Sequence, residues 1–176
     1  MSQPTDPRPM QKAWVVPNID EAARRWSAAL GIGPFFVATY TPERFESLLY
    51  RGAPGVLTMT TAIAYAGDEQ IELIEPHGDA PNAYRDTVPE GASDFHHLCF
   101  WSRDLDADIA HYTALGYPVA NGGQMAGGPR FAYMDATDGI GSMIELLEWS
   151  AGLEAFFDGL KRQCAEWDGA EVIRRL

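Results

Sequence analysis

IELIE, residues 71–75, recurs as IELLE at 144–148, and the two runs fix how the chain is built. In each, apolar residues flank a central glutamate, Glu72 and Glu145. Side chains alternate along a strand, so Ile71 and Leu73 share one face while Glu72 takes the other, and Glu145 is set apart from Ile144 and Leu146 in the same way. Both carboxylates are aimed away from the hydrophobic packing layer. The segments upstream also match. Aligning Gln11 with His97, an offset of 86, sets PNIDEAARRWSAALG (17–31) beside RDLDADIAHYTALG (103–116), with one residue lost before the closing Leu-Gly. A five-residue repeat arises easily by chance, but two matches in the same order, each flanked by the same expected elements, make duplication the better account.

Each copy reads strand, helix, then three strands. In the first, MQKAWVV (10–16) is a strand ended by Pro17, which has no amide proton for a continuing ladder. Asn18 and Glu21 have the spacing of a helix cap, and Ala22, Ala23, Trp26, Ala29 and Leu30 fall at helical intervals, giving a helix over 19–30. GPFFVATY (33–40) and VLTMTTAIAYA (56–66) read as strands, and Gly67-Asp68 turns the latter into EQIELIEP (69–76). Residues 43–55 carry no clear pattern, and 77–93 read as a linker with one helical turn around 82–88. In the second copy FHHLCFW (95–101), a helix from Asp104 to Leu115, YPVANGG (117–123), RFAYMDA (130–136) and SMIELLE (142–148) repeat the plan. The modules thus span 10–76 and 94–149 of one domain. Residues 1–9, rich in proline, are expected to be disordered, and 150–176 to form a helical extension. Its apolar stripe of Leu153, Phe156, Phe157, Leu160, Cys164 and Trp167 must be buried, most simply on the protein's own sheet.

Charge and composition narrow the partners. Thirteen Lys and Arg against twenty-five Asp and Glu leave a net charge of −12, which repels a phosphate backbone and excludes nucleic acid as a ligand. The apolar runs are too short to span a bilayer, and the two cysteines lack a C-x-x-C arrangement, so a cytoplasmic protein with no membrane partner is expected. The glycine-rich NGGQMAGGP (121–129) lacks the lysine of a phosphate loop and is expected to be a mobile lid.

Equivalent strands of a duplicated fold offer equivalent side chains to a shared cleft. The first strand of each copy supplies Gln11 and His97, and the last supplies Glu72 and Glu145. Strict alternation along FHHLCFW puts Phe95, His97 and Cys99 on one face and His96, Leu98 and Phe100 on the other, so only one of the two histidines enters the site. Two carboxylates, an imidazole and an amide oxygen converging in one cleft are most simply reconciled by a divalent cation.

VVPNIDEAARRW (15–26) with LGIGPFF (30–36), IELIEP (71–76), GASDFHHLCFW (91–101) with DLD (104–106), and IELLE (144–148) resemble the vicinal oxygen chelate superfamily, that of glyoxalase I and methylmalonyl-CoA epimerase. The resemblance covers roughly residues 10–149. It implies an α+β fold, with two tandem βαβββ modules forming a half-open mixed β-barrel around a cleft. It also implies one divalent metal ion (zinc, nickel, cobalt, manganese or iron), a small-molecule substrate and a homodimer. By position in the motifs the ligands carry over to Gln11, Glu72, His97 and Glu145, with His96 left to packing. The implied activity is that of a glyoxalase-type lyase or isomerase, which withdraws a proton next to a metal-bound carbonyl of a small carbonyl compound or acyl thioester. Glu145 is the expected base and Glu72 the second choice. Trp14, Phe35, Phe100 and Arg130 are the expected substrate contacts.

Departures from the family pattern matter. VLTMTTAIAYA contains no acidic residue where methylmalonyl-CoA epimerase has a catalytic glutamate, and Arg44, Arg51 and Arg130 match no glutathione-binding motif. Gln11 stands where ring-cleaving dioxygenases of the superfamily have the first of two iron-binding histidines, which disfavours that chemistry. The main alternative is a non-enzymatic drug-binding protein of the same fold, with Trp14, Phe35, Tyr40, Phe100 and Trp101 around an apolar cleft.

Overall fold

The structure is a computed structural model that describes residues 7–176; the first six residues of the expected lead-in lie outside the described residues. The first copy comprises β1 (Gln11–Val15), α1 (Ile19–Leu30), β2 (Phe35–Tyr40), the short strands β3 (Phe45–Tyr50) and β4 (Ala53–Pro54), β5 (Thr58–Ala66) and β6 (Glu69–His77). A single-turn helix α2 (Ala83–Thr87) links it to the second copy: β7 (Asp94–Ser102), α3 (Leu105–Ala114), β8 (Val119–Met125), β9 (Arg130–Ala136), α4 (Thr137–Ile140) and β10 (Ser142–Glu148). The chain continues into α5 (Ala151–Ala165) and β11 (Ile173–Arg175), so the expected helical extension also contributes an edge strand.

Local chemistry sets the boundaries. The Asn18 side chain accepts the Glu21 amide, and Gly31 closes α1 in the left-handed conformation (φ +69°) with its amide on the Ser27 carbonyl. The carboxylate that takes the first free amide of α1 comes from Glu75 of β6, 2.8 Å from the Ile19 nitrogen, while Glu21 pairs with Arg25. Asp104 and Ser150 cap α3 and α5 in the same manner as Asn18.

Among the described residues the strands form one open mixed sheet in the order β11-β2-β5-β6-β1-β7-β10-β9-β8-β3-β4. The two copies meet where β1 and β7 pair antiparallel, with Gln11 opposite Cys99, Lys12 opposite Leu98 and Ala13 opposite His97. Under the 86-residue offset Lys12 and Leu98 are each other's image, so a pseudo-twofold axis passes through that pair. Ile71 and Leu73 pack under α1 with Ile19 and Ala23, and Ile144 and Leu146 pack under α3 with Leu105 and Tyr112. Both glutamates of the repeat therefore face the concave side, as alternation requires.

Alternation fails at one place. Along β1 the ladder steps from Ala13 to Trp14, while along β7 it steps from His97 to Phe95. His96 is the extra residue of a β-bulge, and a bulge turns consecutive side chains toward the same face. Both histidines are fully buried on the concave side, and Phe95 is thrown to the outer face against Trp14, with ring centroids 5.2 Å apart. The expectation that only one histidine enters the site is corrected by this bulge.

Residues 43–55, without a clear pattern in the sequence, make a strap. After β2 the chain crosses the cleft, and β3 adds to β8 at the far edge, with Leu48 opposite Gly123 and Leu49 opposite Gly122. Arg51 anchors the strap by ion pairs to Asp86 (2.6 Å) and Asp135 (2.8 Å). The segment expected to be a mobile lid is thus largely strand β8, held between β3 and β9. Its glycine has a steric purpose: a Cβ built on Gly123 would sit 2.2 Å from the Ser47 carbonyl oxygen. Gly123→Ala is expected to destabilise the protein by about 1–3 kcal/mol in urea unfolding, since backbone must shift to admit it. The matched change Gly152→Ala in α5, where nothing lies within 4 Å, is expected to stabilise by about 0.5–1 kcal/mol through helix propensity. Equal midpoints for the two variants would show that β3 is not pressed against β8.

Candidate metal centre

The concave face carries its polar groups at the centre of the sheet. Parallel pairing sets Glu72 beside Ala13 and Glu145 beside Cys99, two ladders related by the duplication. His97 Nε2 lies 3.0 Å from Glu145 Oε2, 3.8 Å from Glu72 Oε2 and 3.4 Å from Gln11 Oε1. The donor atoms of Glu72, His97 and Glu145 lie within 4.8 Å of one another, and all three residues are buried. The four residues singled out in the sequence are thus brought together.

These separations suit a divalent ion. Bonds of about 2.1 Å at angles between about 90° and 130° put neighbouring donor atoms about 3.0–3.8 Å apart. Imidazole nitrogen with carboxylate and amide oxygens is a donor set for borderline divalent metals. Electrostatics points the same way. Burial and then the neighbouring Glu145 charge push the Glu72 carboxyl well above the usual range, and buried carboxylates so close repel unless positive charge lies between them.

Two hydrogen-bond chains orient the donors. Gln11 Nε2 donates to Gln70 Oε1 (2.6 Å), and Gln70 Nε2 donates to the Tyr65 hydroxyl (2.5 Å), so the Gln11 amide oxygen is the atom left facing the cluster. The second chain uses the bulge. His96 Nε2 lies 3.1 Å from the Ala83 carbonyl oxygen, and a carbonyl only accepts, so this nitrogen carries the proton. Burial holds the His96 ring neutral, with its pKa down at about 3. Its Nδ1 is then an acceptor, and the facing His97 Nδ1, 2.9 Å away, must donate. With Nδ1 so engaged, Nε2 is the His97 nitrogen turned to the two glutamates, and its lone pair would be the one available to a divalent ion held between them.

Above this floor lies a cavity of about 270 Å³ reached from one side. Gln11, Glu72 and Glu145 form its base, and Tyr84 and Tyr133 stand beside them with their hydroxyls 3.0 Å apart. Burial first, and the two carboxylates after it, push both phenols well above their ordinary range, so both remain hydrogen-bond donors. None of the expected substrate contacts lines this cavity. Trp14 packs on Trp26 and Phe95 on the outer face. Phe35 is fully buried under α1, and Phe100 packs with the α3 core. Arg130 is held by Glu148 and Asp106. Strand parity explains three of these: Phe35, Phe100 and Arg130 each sit one residue from a neighbour, Phe36, Trp101 or Phe131, that takes the inner face. Sequence reasoning missed Gln70, His96, Tyr84 and Tyr133. Gln70 was within reach, because it shares strand parity with Glu72; Tyr133 has the parity opposite to that of Arg130. His96 and Tyr84 depend on a bulge and on the folding back of α2.

Paired βαβββ modules closing on a buried His, Glu, Glu and Gln cluster define a half-open barrel with a candidate metal pocket. A sequence model of the Glyoxalase/Bleomycin resistance protein/Dioxygenase superfamily matches residues 10–133, and the chain belongs to that superfamily. No curated protein matches it. Solved structures share the fold at low identity. Methylmalonyl-CoA epimerase from Mycobacterium tuberculosis is 18% identical with a TM-score of 0.56, over 82% of this chain and 89% of that one. A hypothetical protein from Bacillus halodurans C-125 is 16% identical with a TM-score of 0.59, over 81% and 94%. A methylmalonyl-CoA epimerase in complex with methylmalonyl-CoA and NH4+ is 19% identical with a TM-score of 0.56, over 82% and 95%.

The tautomer assignment is directly measurable. Long-range proton–nitrogen NMR is expected to show His96 protonated at Nε2 and His97 at Nδ1; the opposite tautomers would refute the chain. In a folded His96→Leu variant zinc affinity is expected to fall about 10–100-fold, the usual effect of losing an outer-shell partner, and His96→Asn, whose Oδ1 can accept from His97, should recover part of it.

Proposed function

We propose that this protein is a metal-dependent lyase or isomerase of the glyoxalase type, removing a proton from the carbon beside the carbonyl of a small carbonyl compound or acyl thioester. The observation that carries this reading is the placement of a complete donor set, Gln11, Glu72, His97 and Glu145, at the base of an apolar cavity. A divalent ion held there would supply Lewis acidity toward the substrate's oxygens. The protein's own groups do the rest. Glu145 reaches the cavity floor from β10 and serves as the base that takes the proton. In an isomerisation Glu72, entering the cycle protonated, donates its own proton to the other face, leaving Glu145 protonated and Glu72 ionised so that the two exchange roles for the reverse direction. The Tyr84–Tyr133 hydroxyl pair donates to the substrate oxygen on which negative charge develops. The surrounding apolar walls exclude water, which strengthens each of these interactions.

Iron-dependent ring cleavage needs a second histidine, and among the described residues the only one nearby, His96, has both nitrogens engaged by Ala83 and His97. A passive small-molecule binder remains the rival reading, favoured by the apolar cavity. We further place the protein in the cytoplasm as a homodimer. Among the described residues no helix is long and apolar enough to cross a membrane.

Protein purified without added metal is expected to carry about one equivalent of a divalent transition ion, lost in His97→Ala. A panel of thioesters and 2-oxoaldehyde adducts incubated in deuterium oxide is expected to yield at least one compound that exchanges its proton. Glu145→Gln should keep the fold and most of the metal while slowing exchange by ~10²–10⁴-fold, the range for loss of a general base. Full exchange in that variant would remove Glu145 from the role, and tight ligand binding with neither metal nor exchange would favour the passive binder.

A further inference from the structure

We infer that the ligand of this cleft is an uncharged, largely apolar carbonyl compound, gripped by an aromatic lip on α5, rather than an anionic conjugate such as a coenzyme A or glutathione derivative. The polar end of that ligand rests on the proposed function; the argument about its body rests on the cavity alone. Among the residues lining the cavity the charged ones are Glu72 and Glu145, and no lysine or arginine is among them. Arg51 is clamped between Asp86 and Asp135, and Arg130 between Glu148 and Asp106; Arg44, exposed beside Tyr40, is the one arginine of the three with its charge near the cleft, and it does not line the cavity. A divalent ion at the base would do no more than offset the two glutamates. A carboxylate or phosphate entering the cleft would leave water for walls that offer it no partner. At longer range the net charge of −12 repels a polyanion before it arrives.

The walls favour the opposite kind of molecule. Phe36 and Tyr40 of β2 face Phe131 of β9 across the cleft, and Leu153, Phe156 and Phe157 of α5 line its mouth. Phe157 packs on Trp101, with centroids 5.9 Å apart, and this fixes the inner part of the lip. Phe156 and Leu176 remain 45% and 67% exposed, although both line the cavity. Large apolar side chains left in water at the rim gain by being covered, and the apolar body of a ligand seated on the base would cover them. With polar groups concentrated at the base and apolar surface elsewhere, the ligand carries its oxygens at one end.

The test uses two probes that differ only in a remote charge: 1-phenyl-1,2-propanedione and the same dione bearing a carboxylate at the para position of the ring. Calorimetric titration of the protein as purified is expected to show the neutral probe binding at least tenfold more tightly, and acetyl-coenzyme A not competing with it. Phe156→Lys, which places a cation on the lip, is expected to narrow the gap by tightening the carboxylated probe. Equal or tighter binding of the carboxylated probe to the unaltered protein, displacement by acetyl-coenzyme A, or binding of neither dione would overturn the inference. The two readings fail separately. A neutral preference in protein that holds no metal and exchanges no proton would leave the ligand class standing and remove the enzyme. Metal and proton exchange accompanied by a preference for the anion would do the reverse.

Discussion

One extra residue in β7 is the constraint on which the centre of this molecule depends. A regular strand through FHHLCFW would carry one histidine to each face of the sheet. The bulge at His96 turns both inward, and the two rings then divide the work. His97 reaches the glutamates, while His96 spans from the Ala83 carbonyl to His97 Nδ1 and dictates which nitrogen of its neighbour is free. The same contact ties α2, and with it Tyr84, to the floor of the cleft. A local defect in the ladder thereby specifies a ligand's tautomer, a helix position and the placement of a phenol pair.

The rest of the inner face is arranged so that few polar atoms there are left to chance. Gln70 holds the amide of Gln11 and is itself held by Tyr65, a chain that runs across β1, β6 and β5. Buried networks of this kind stabilise when every member is satisfied and destabilise when one is missing. The two outer cores under α1 and α3 supply the rigidity, because Ile71 and Leu73, with Ile144 and Leu146, lock the strands on either side of each inward-facing glutamate.

Much of this is legible in the sequence, and for definite reasons. The period of two puts Glu72 and Glu145 on the inner face. The equivalence of Gln11 and His97 follows from aligning the helices that succeed them, 17–31 with 103–116. What escaped reading was non-local or irregular. The bulge leaves no mark in FHHLCFW, because either histidine suits a buried strand. The strap over 43–55 finds its partner on the far edge of the other module, and short-range pattern carries no information about such pairing. NGGQMAGGP suggested mobility, whereas Gly123 is small because another backbone presses on it. Trp14, Phe35 and Phe100 have the chemistry of a binding cleft, yet each faces away from it.

The strand order also bears on the sequence in which the parts can assemble. β11 lies alongside β2, with Ile173 beside Phe35, so an edge strand of the first module is completed by residues near the other end of the chain. Both modules and the bulged histidines precede α5 and β11 in the chain and so leave the ribosome first. Such long-range pairing forms late because the intervening loop must close first. The floor of the cavity can be in place while its mouth is still missing. Until α5 docks, the aromatic walls that it helps to enclose are open to solvent.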